Sequence, residues 1–491
     1  MQASTPFIKK FKTEKNYYIY DVNSNKILQV NETVFDIVDY INGKKEEIFK
    51  KFNHKYSIHN INKNLQLTNR AKTRDRILSP NRPNISFGYK SINDIKCASN
   101  SNLSHLVLEL TERCNQSCKY CGFSGRYSHI RAHGKKDMSF KTAKKAIDFF
   151  IKRSKKKLSI GFYGGEPLLR FDFIKEIIEY VKDKKQTEYE FNFTTNGTLF
   201  REEMIRYFSK NNVLILISLD GPKHIHNRYR VFKNGKGTYN AISNNLKKIK
   251  KICPDFFTNN ISYNVVLAPP YDFESIEDFF YKNPLFELRQ DHILYSVVDP
   301  HKTTFFNDFN LEDDEKKINK EIGKLRNRYK NSLIEGNYNN LTIEKQLFNK
   351  DFSRINNRPM DLIRDEFAPQ GTCFPGTRKL FVNVDGNFYM CERVNSNYSI
   401  GNVNHGFNHR RIYNFLKKYE EFFKDCKYCW ALRLCMKCFN NIRNGDSFSE
   451  ARKEKVCSNN LYKIENNLLD YCEIREKNAE AFKPFKNIVY G

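Results

Sequence analysis

Between about residues 103 and 300, six apolar runs of strand length alternate with amphipathic helical patterns. The runs are "HLVLEL", "LSIGFYG", "YEFNFTTN", "VLILISLD", "ISYNVVLAP" and "HILYSVVD"; among the segments between them are "SFKTAKKAIDFFIKRS", "FDFIKEIIEYVKD" and "TYNAISNNLKKIKKI". Strands that are apolar on both faces and joined through helices predict an α/β fold, a parallel sheet curled into a partial (β/α)6 TIM-like barrel. Chemistry in such a sheet gathers at the carboxyl ends of the strands. The polar segments fall there: "TERCNQSC" after the first strand, "YGGEP" after the second, "TTNG" after the third and "SLDG" after the fourth. Four loops at one end of one sheet predict a single site.

A chain of 491 residues has room for flanking domains. Before the barrel, "NYYIYD" and "KILQV" read as two short strands around the turn "VNSN". The helix "NETVFDIVDYINGKK" follows, with Asn31 as N-cap, an apolar face of Val34, Ile37, Val38 and Ile41, and a stop at Gly43. With a second helix, "KEEIFKKF", this makes a winged-helix-like module with a free strand edge. The expected domains are the module (1–95), the barrel (96–305), a charged helical connector (306–365) and a cysteine-dense region (366–491).

No run of 18 apolar residues occurs, and "MQASTPFIKKFKTEK" lacks the apolar stretch of a secretion signal, so a cytoplasmic protein without a membrane partner is expected. Thirteen cysteines in a chain of this length then point to metal or redox use rather than a disulfide scaffold. The formal charge of +28 suits an anionic partner and equally a lysine- and asparagine-rich proteome, and does not choose between them.

In "CNQSCKYC", Cys114, Cys118 and Cys121 follow the spacing C-x3-C-x2-C. Thiolates are soft ligands for iron–sulfur clusters and zinc. Three of them can hold three corners of a cubane cluster and leave one iron open; a zinc site completed by His129 or Cys97, or three unrelated thiols, is the alternative. This loop, with Tyr120 before the last cysteine, resembles the cluster loop of the radical S-adenosylmethionine (SAM) enzymes, in which SAM chelates the open iron. The resemblance extends to the other loops in order. It implies that Gly164, Gly165 and Glu166 line the methionine amino group, and that Thr194, Asn196, Ser218, Asp220 and Arg230 serve the ribose and carboxylate, Arg230 as a fork.

Farther on come Cys373, Gly386, Cys391, Cys426, Cys429, Cys435, Cys438 and Cys457. Four of these cysteines, Cys426, Cys429, Cys435 and Cys438, have a spacing that zinc would also accept, although the two pairs stand close for a zinc ribbon. The order resembles the SPASM extension of peptide-modifying radical SAM enzymes. That resemblance implies two auxiliary [4Fe–4S] clusters, one on Cys373, Cys391 and Cys438 and one on Cys426, Cys429, Cys435 and Cys457. Three [4Fe–4S] clusters in all follow from it. The two-residue gap between Cys435 and Cys438 departs from the usual three, and no cysteine stands shortly upstream of Cys373. The first auxiliary cluster is therefore expected to have an open iron, or to be closed by Cys472 or Cys97; Cys253 reads as a buried small hydrophobe. Glu392 occupies a place where sulfatase-maturating relatives carry a carboxylate base, which implies a catalytic role.

The N-terminal module resembles the RiPP recognition element, which binds a leader peptide by adding it as a strand; a cap on the barrel is the plainer reading. The segment "GTCFPGTRKLFVNVDGNFYMCERV" with "IGNV" resembles maturases of the sactipeptide and ranthipeptide kind. The implied activity is installation of cysteine sulfur-to-carbon thioether crosslinks in a ribosomally made, cysteine-rich precursor with a leader. The implied cofactors are SAM and the three clusters, and the implied reductant is a flavodoxin or ferredoxin. Formylglycine generation in a sulfatase and carbon–carbon crosslinking use the same machinery. An iron–sulfur sensor that binds nucleic acid is the competing class, but it has no use for "YGGEP" or "SLDG".

Overall fold

The computed structural model describes residues 5–486 apart from 101–102, 129, 185–187, 287–291, 299–302, 310, 339–342, 370, 372, 395 and 445–446. His129 therefore lies outside the described residues. The chain begins with β1 (Ile8–Lys12), β2 (Tyr17–Asp21) and β3 (Lys26–Val30), an antiparallel sheet with β2 in the middle. The sequence suggested only the second and third of these. Three of the five residues of β1 are lysine, which hides its alternation.

The single helix expected from residue 31 is shorter. Asn31 does cap it, accepting from the Val34 backbone N–H at 2.9 Å, but α1 (Glu32–Ile37) passes into a 3-10 turn at Val38–Tyr40. Then come α2 (Lys45–Phe52) and an unanticipated α3 (Ile58–Asp75), whose buried stripe of Ile61, Asn64, Leu65 and Thr68 is too polar to stand out. Ile19, Ile37, Val38, Ile48, Ile61 and Leu65 give the module its own core, while Phe7, Phe11, Tyr18, Tyr20 and Val22 belong to the main core of the molecule. After β4 (Asn84–Ile85) and α4 (Ile92–Ala98) the large sheet starts.

All six apolar runs form parallel strands in chain order: β5 (Leu103–Thr111), β6 (Ser154–Gly164), β7 (Glu188–Thr195), β8 (Leu214–Ser218), β9 (Ile261–Leu267) and β10 (Ile293–Val297). Helices fill the crossovers: α5 (Phe140–Ile151), α6 (Phe171–Lys182), α7 (Glu202–Lys210), α8 (Lys223–Tyr229), α9 (Tyr239–Ile252), α10 (Pro254–Asn260) and α11 (Phe273–Lys282). The sequence patterns identified α5, α6 and α9; the other four are short. The charged connector carries α12 (Leu311–Glu335) and α13 (Ile343–Asn356).

The sheet does not stop at six strands. After β11 (Glu366–Phe367), which pairs with β4, the chain returns to the barrel as β12 (Lys379–Val382), parallel to β5 with Phe381 opposite Val107. The strands β13 (Asn387–Tyr389), β14 (Gly401–Asn402) and β15 (Gly406–Phe407) continue it antiparallel, making a ten-stranded mixed sheet with β10 and β15 at its edges. The four residues "KLFV", three of them apolar, are too few to announce a strand alone; a neighbour, β5, recruits them. The chain closes with α14 (His409–Phe422) and α15 (Glu450–Lys477). No described helix is long and apolar enough to cross a membrane.

Candidate active site

The carboxyl ends of β5 to β10 surround a cavity of about 330 Å3, a size suited to a small-molecule ligand. Cys114, Cys118, Cys121, Tyr120, Gly164, Gly165, Glu166, Thr194, Asn196, Ser218 and Arg230 all line it, and the C-terminal region adds Glu392, Arg393 and Asn440. Of the residues expected at the SAM site, only Asp220 is missing from this wall.

The three-cysteine loop is held by backbone bonds to the end of α8 and the residues just after it: Ser117 N–H donates to the Val231 carbonyl at 2.9 Å and Lys119 N–H to the Tyr229 carbonyl at 3.0 Å. The Cys114 sulfur accepts from Gln116 N–H and the Cys121 sulfur from Phe123 N–H, each at 3.4 Å. The Cys118 thiol donates to the Gln116 side chain at 3.2 Å. Burial pushes the Cys114 thiol up to about 12 and the Cys118 thiol up to about 11, and raises Cys121 as well. These are thiols at neutral pH, and a metal entering here displaces protons. Among the described residues, no group of three or more His, Cys, Asp and Glu side chains converges to grip a single ion. A cubane takes one thiolate at each of several separate irons, so its ligands stand apart rather than meeting at a point. Three thiols facing one cavity, two of them accepting N–H donors, are a donor set that fits such a cluster.

The glycines of "YGGEP" have a reason that differs from the expected one. Gly164 sits at φ 142°, and a Cβ on it would lie 2.2 Å from the Thr111 carbonyl oxygen; a Cβ on Gly165 would lie 2.0 Å from the Arg113 oxygen. The close approach is to this chain's own β5 end, sealed by Gly165 N–H to Thr111 O at 2.8 Å and Glu166 N–H to Arg113 O at 2.9 Å. The glycines thus press the second loop against the residue before Cys114.

Glu166, 1 % exposed, accepts from Leu168 N–H at 3.0 Å, the Thr195 hydroxyl at 2.6 Å and Asn196 N–H at 2.8 Å. Burial raises its carboxyl and these bonds oppose the rise. It ties the second loop to the third while facing the cavity. Asn196 in turn donates to the Asn115 side chain at 2.8 Å, next to Cys114.

Asp220 stands behind the wall. Its one oxygen receives the Tyr120 hydroxyl and the Arg230 Nε (3.0 Å), and its other receives Val266 N–H at 3.0 Å. Burial works against the Arg230 charge, but the Asp220 carboxylate outweighs it and the guanidinium stays ionised. Asp220 is therefore a positioning residue for Arg230 and Tyr120, and part of the fork expected to be free is already engaged.

The C-terminal cysteines fall into two neighbourhoods. Cys435 helps to raise the thiols of Cys426, Cys429 and Cys457, whereas Cys373 helps to raise that of Cys438, and Cys438 that of Cys391. Burial lifts Cys391 and Cys426 to about 12 and Cys429 to about 11. The Asn460 side chain donates to the Cys435 sulfur at 3.3 Å. Cys472 is buried in α15 among Glu476, Arg358 and Arg475, Cys97 is exposed on α4, and Cys253 is only partly buried at the α9–α10 joint. Glu392 receives the Lys379 ammonium at 2.6 Å; burial pushes its carboxyl up, yet the lysine prevails and holds it below the usual range.

Reading the sequence did not single out Tyr163, His133, Gln116, Arg393 or Asn440, all on the cavity wall. Gln116 and Tyr163 lie inside "CNQSCKYC" and "YGGEP" and were within reach, whereas His133 and Asn440 come from segments with no pattern of their own.

Residues 108–280 match the sequence profile of the Radical SAM superfamily. Among curated proteins, the chain is similar to the radical SAM cyclopropyl synthase TigE of Paramaledivibacter caminithermalis, 26% identical over 261 residues, which are 51% of this chain and 52% of that protein. It thus spans about half the length of that relative. It is also similar to a cysteine-type anaerobic sulfatase-maturating enzyme of Clostridium novyi, 25% identical over 346 residues, 68% of this chain and 86% of that protein. Among solved structures, native anSMEcpe with bound AdoMet superposes with a TM-score of 0.57 at 20% identity, covering 79% of this chain and all of that one (100%). The same enzyme with AdoMet and the Kp18Cys peptide gives 0.56 at 19% identity, with 79% and 99% coverage; at these identities the likeness is one of fold. The three-cysteine loop thus lies within the stretch, residues 108–280, that is similar to the Radical SAM superfamily.

Proposed function

We propose that this protein is a radical SAM peptide maturase that joins cysteine sulfur to carbon in a ribosomally made precursor peptide. The observation that carries the reading is the cavity itself, where three thiols, the "YGGEP" and "TTNG" loops, Arg230 and a C-terminal carboxylate meet. Cys114, Cys118 and Cys121 would hold a [4Fe–4S] cluster, and the cluster with SAM supplies a carbon-centred radical able to take hydrogen from an unactivated C–H bond.

The chain's own residues then have defined work. Arg230, kept charged by Asp220, binds the SAM carboxylate, and Ser218 and Asn196 offer hydroxyl and amide groups to the ribose side. Glu392, ionised beside Lys379, takes the proton of a substrate thiol. Tyr163, Phe123 and Tyr127 wall the cavity and keep water from the reacting carbon. Cys373, Cys391 and Cys438, and separately Cys426, Cys429, Cys435 and Cys457, would hold the auxiliary clusters.

Two things support a peptide as substrate. Solved relatives of the same fold bind one. The fold match also leaves about a fifth of this chain without a counterpart, an amount comparable to the N-terminal module, whose edge strand β3 is available for strand addition. A second reading, formylglycine formation in a sulfatase, is supported by the names of the sulfatase-maturating relatives.

The test is anaerobic coexpression with a candidate cysteine-rich precursor, followed by fragment mass spectrometry. A thioether lowers the peptide by two hydrogens and keeps the sulfur, whereas formylglycine loses it. Cys118→Ala should abolish both deoxyadenosine release and the mass change. A loaded wild-type protein that releases no deoxyadenosine on reduction would sink the proposal.

A further inference from the structure

The quartet Cys426, Cys429, Cys435 and Cys457 has a second feature beside it. A groove of about 210 Å3 runs between α13, the Leu434–Lys437 segment and α15. Four cations line it, Lys350, Arg354, Lys437 and Lys463, against a single carboxylate, Asp351. Asp351 is engaged by Lys463 at 2.6 Å and Arg354 at 3.8 Å. Lys350 and Lys463 are exposed, and Met436 (38 % exposed) adds apolar surface beside Leu434 and Ile464. Asn460, a wall residue, donates to the Cys435 sulfur. Whatever occupies the groove is one side chain away from the quartet.

We propose that this groove docks an acidic one-electron carrier protein, which exchanges electrons with the cluster on Cys426, Cys429, Cys435 and Cys457. The inference rests on the reading of that quartet as cluster ligands. It applies to thioether and formylglycine formation alike. Joining a C–H carbon to an S–H sulfur removes two hydrogens. One leaves as a hydrogen atom taken by the radical, whose formation consumed one electron; the other leaves as a proton and one electron. The oxidised carrier accepts that electron, so each turnover balances. A basic ring around a small apolar margin suits a brief encounter steered by charge rather than a permanent complex.

The test uses the full chain, with and without reconstituted clusters, and oxidised plant-type [2Fe–2S] ferredoxin as the acidic probe. Binding is titrated calorimetrically at low and high salt, and oxidation of the pre-reduced, loaded protein is followed by stopped flow. K350E/K463Q should weaken binding to both forms and slow electron transfer, each by about ten-fold, while D351N strengthens and speeds them. Dithionite-driven deoxyadenosine release should not change. The control K247E/K248Q makes the same charge change on exposed positions of α9. If it weakens binding as much, or if K350E/K463Q has no effect, the groove is not the docking site. The parent reading fails separately: if Cys435→Ala leaves iron content and the electron paramagnetic resonance spectrum unchanged, the quartet holds no cluster, whatever the ferredoxin titration gives.

Discussion

At the scale of single residues, the site is built from groups that mostly serve one another. Gly165 has no room for a methyl group because the Arg113 carbonyl would lie 2.0 Å from it. Gly165→Ala should therefore cost about 2 kcal/mol or more in denaturant unfolding and reduce iron loading of the loop that begins one residue later. His226 is fully buried, with its Nδ1 accepting from Asp220 N–H at 3.2 Å and Nε2 against the Thr238 hydroxyl at 2.9 Å. Burial pushes its pKa down to about 4, against about 6.5 in the unfolded chain. The unfolded state then binds the extra proton as pH falls below about 6.5, so stability is full above that pH and declines towards pH 4 by about 3 kcal/mol. His226→Gln should flatten this part of the stability–pH curve, read from urea midpoints; an unchanged slope would assign it to other groups.

Elements carry the coupling between distant parts of the chain. The turn between β2 and β3 is buried from Asp21 to Asn25 and plugs into the C-terminal region. Arg433, within the Cys429–Cys435 segment, donates to the Asn23 carbonyl at 3.1 Å and to the Asp361 carbonyl at 2.7 Å, and Arg358 donates to Asn25 O at 2.7 Å. On the other side, Thr13 and Tyr18 both donate to Glu476 of α15 at 2.8 Å, and Lys9 pairs with Glu465 at 2.8 Å. The module thus touches both the loop and the helix that bring cysteines to the quartet. Arg433→Ala should cost about 2 kcal/mol and raise hydrogen exchange across Tyr17–Val30. Protection unchanged there would mean that the hairpin is held by its apolar face alone.

For the molecule as a whole, the N-terminal module is a separate fold on one face and part of the common core on the other. Phe7, Phe11, Tyr18, Tyr20 and Val22 are buried with the main cluster, so deleting residues 1–80 leaves their partners open to water. The truncated chain should bind a hydrophobic dye and melt several degrees earlier, about what a few kcal/mol of lost apolar burial produces. A truncated form that melts with the full chain would make the module an independent attachment.

The sequence by itself determined the parallel sheet and the end of it where the cavity opens. Six apolar runs of strand length separated by amphipathic helical patterns are a local signal, and a local pattern of that kind survives in a single sequence. It also pointed to three thiols that the structure brings to one cavity, because their spacing is set within one loop. It did not reveal β12, which is four residues long and exists because β5 offers it a ladder, nor the lysine-rich β1. Only the tertiary structure decided that Asp220 stands behind Arg230, that the "YGGEP" glycines face the Thr111 and Arg113 carbonyls, and that Lys379 keeps Glu392 ionised. Each of these depends on which atoms meet across strands far apart in the chain, and no local periodicity encodes such a meeting.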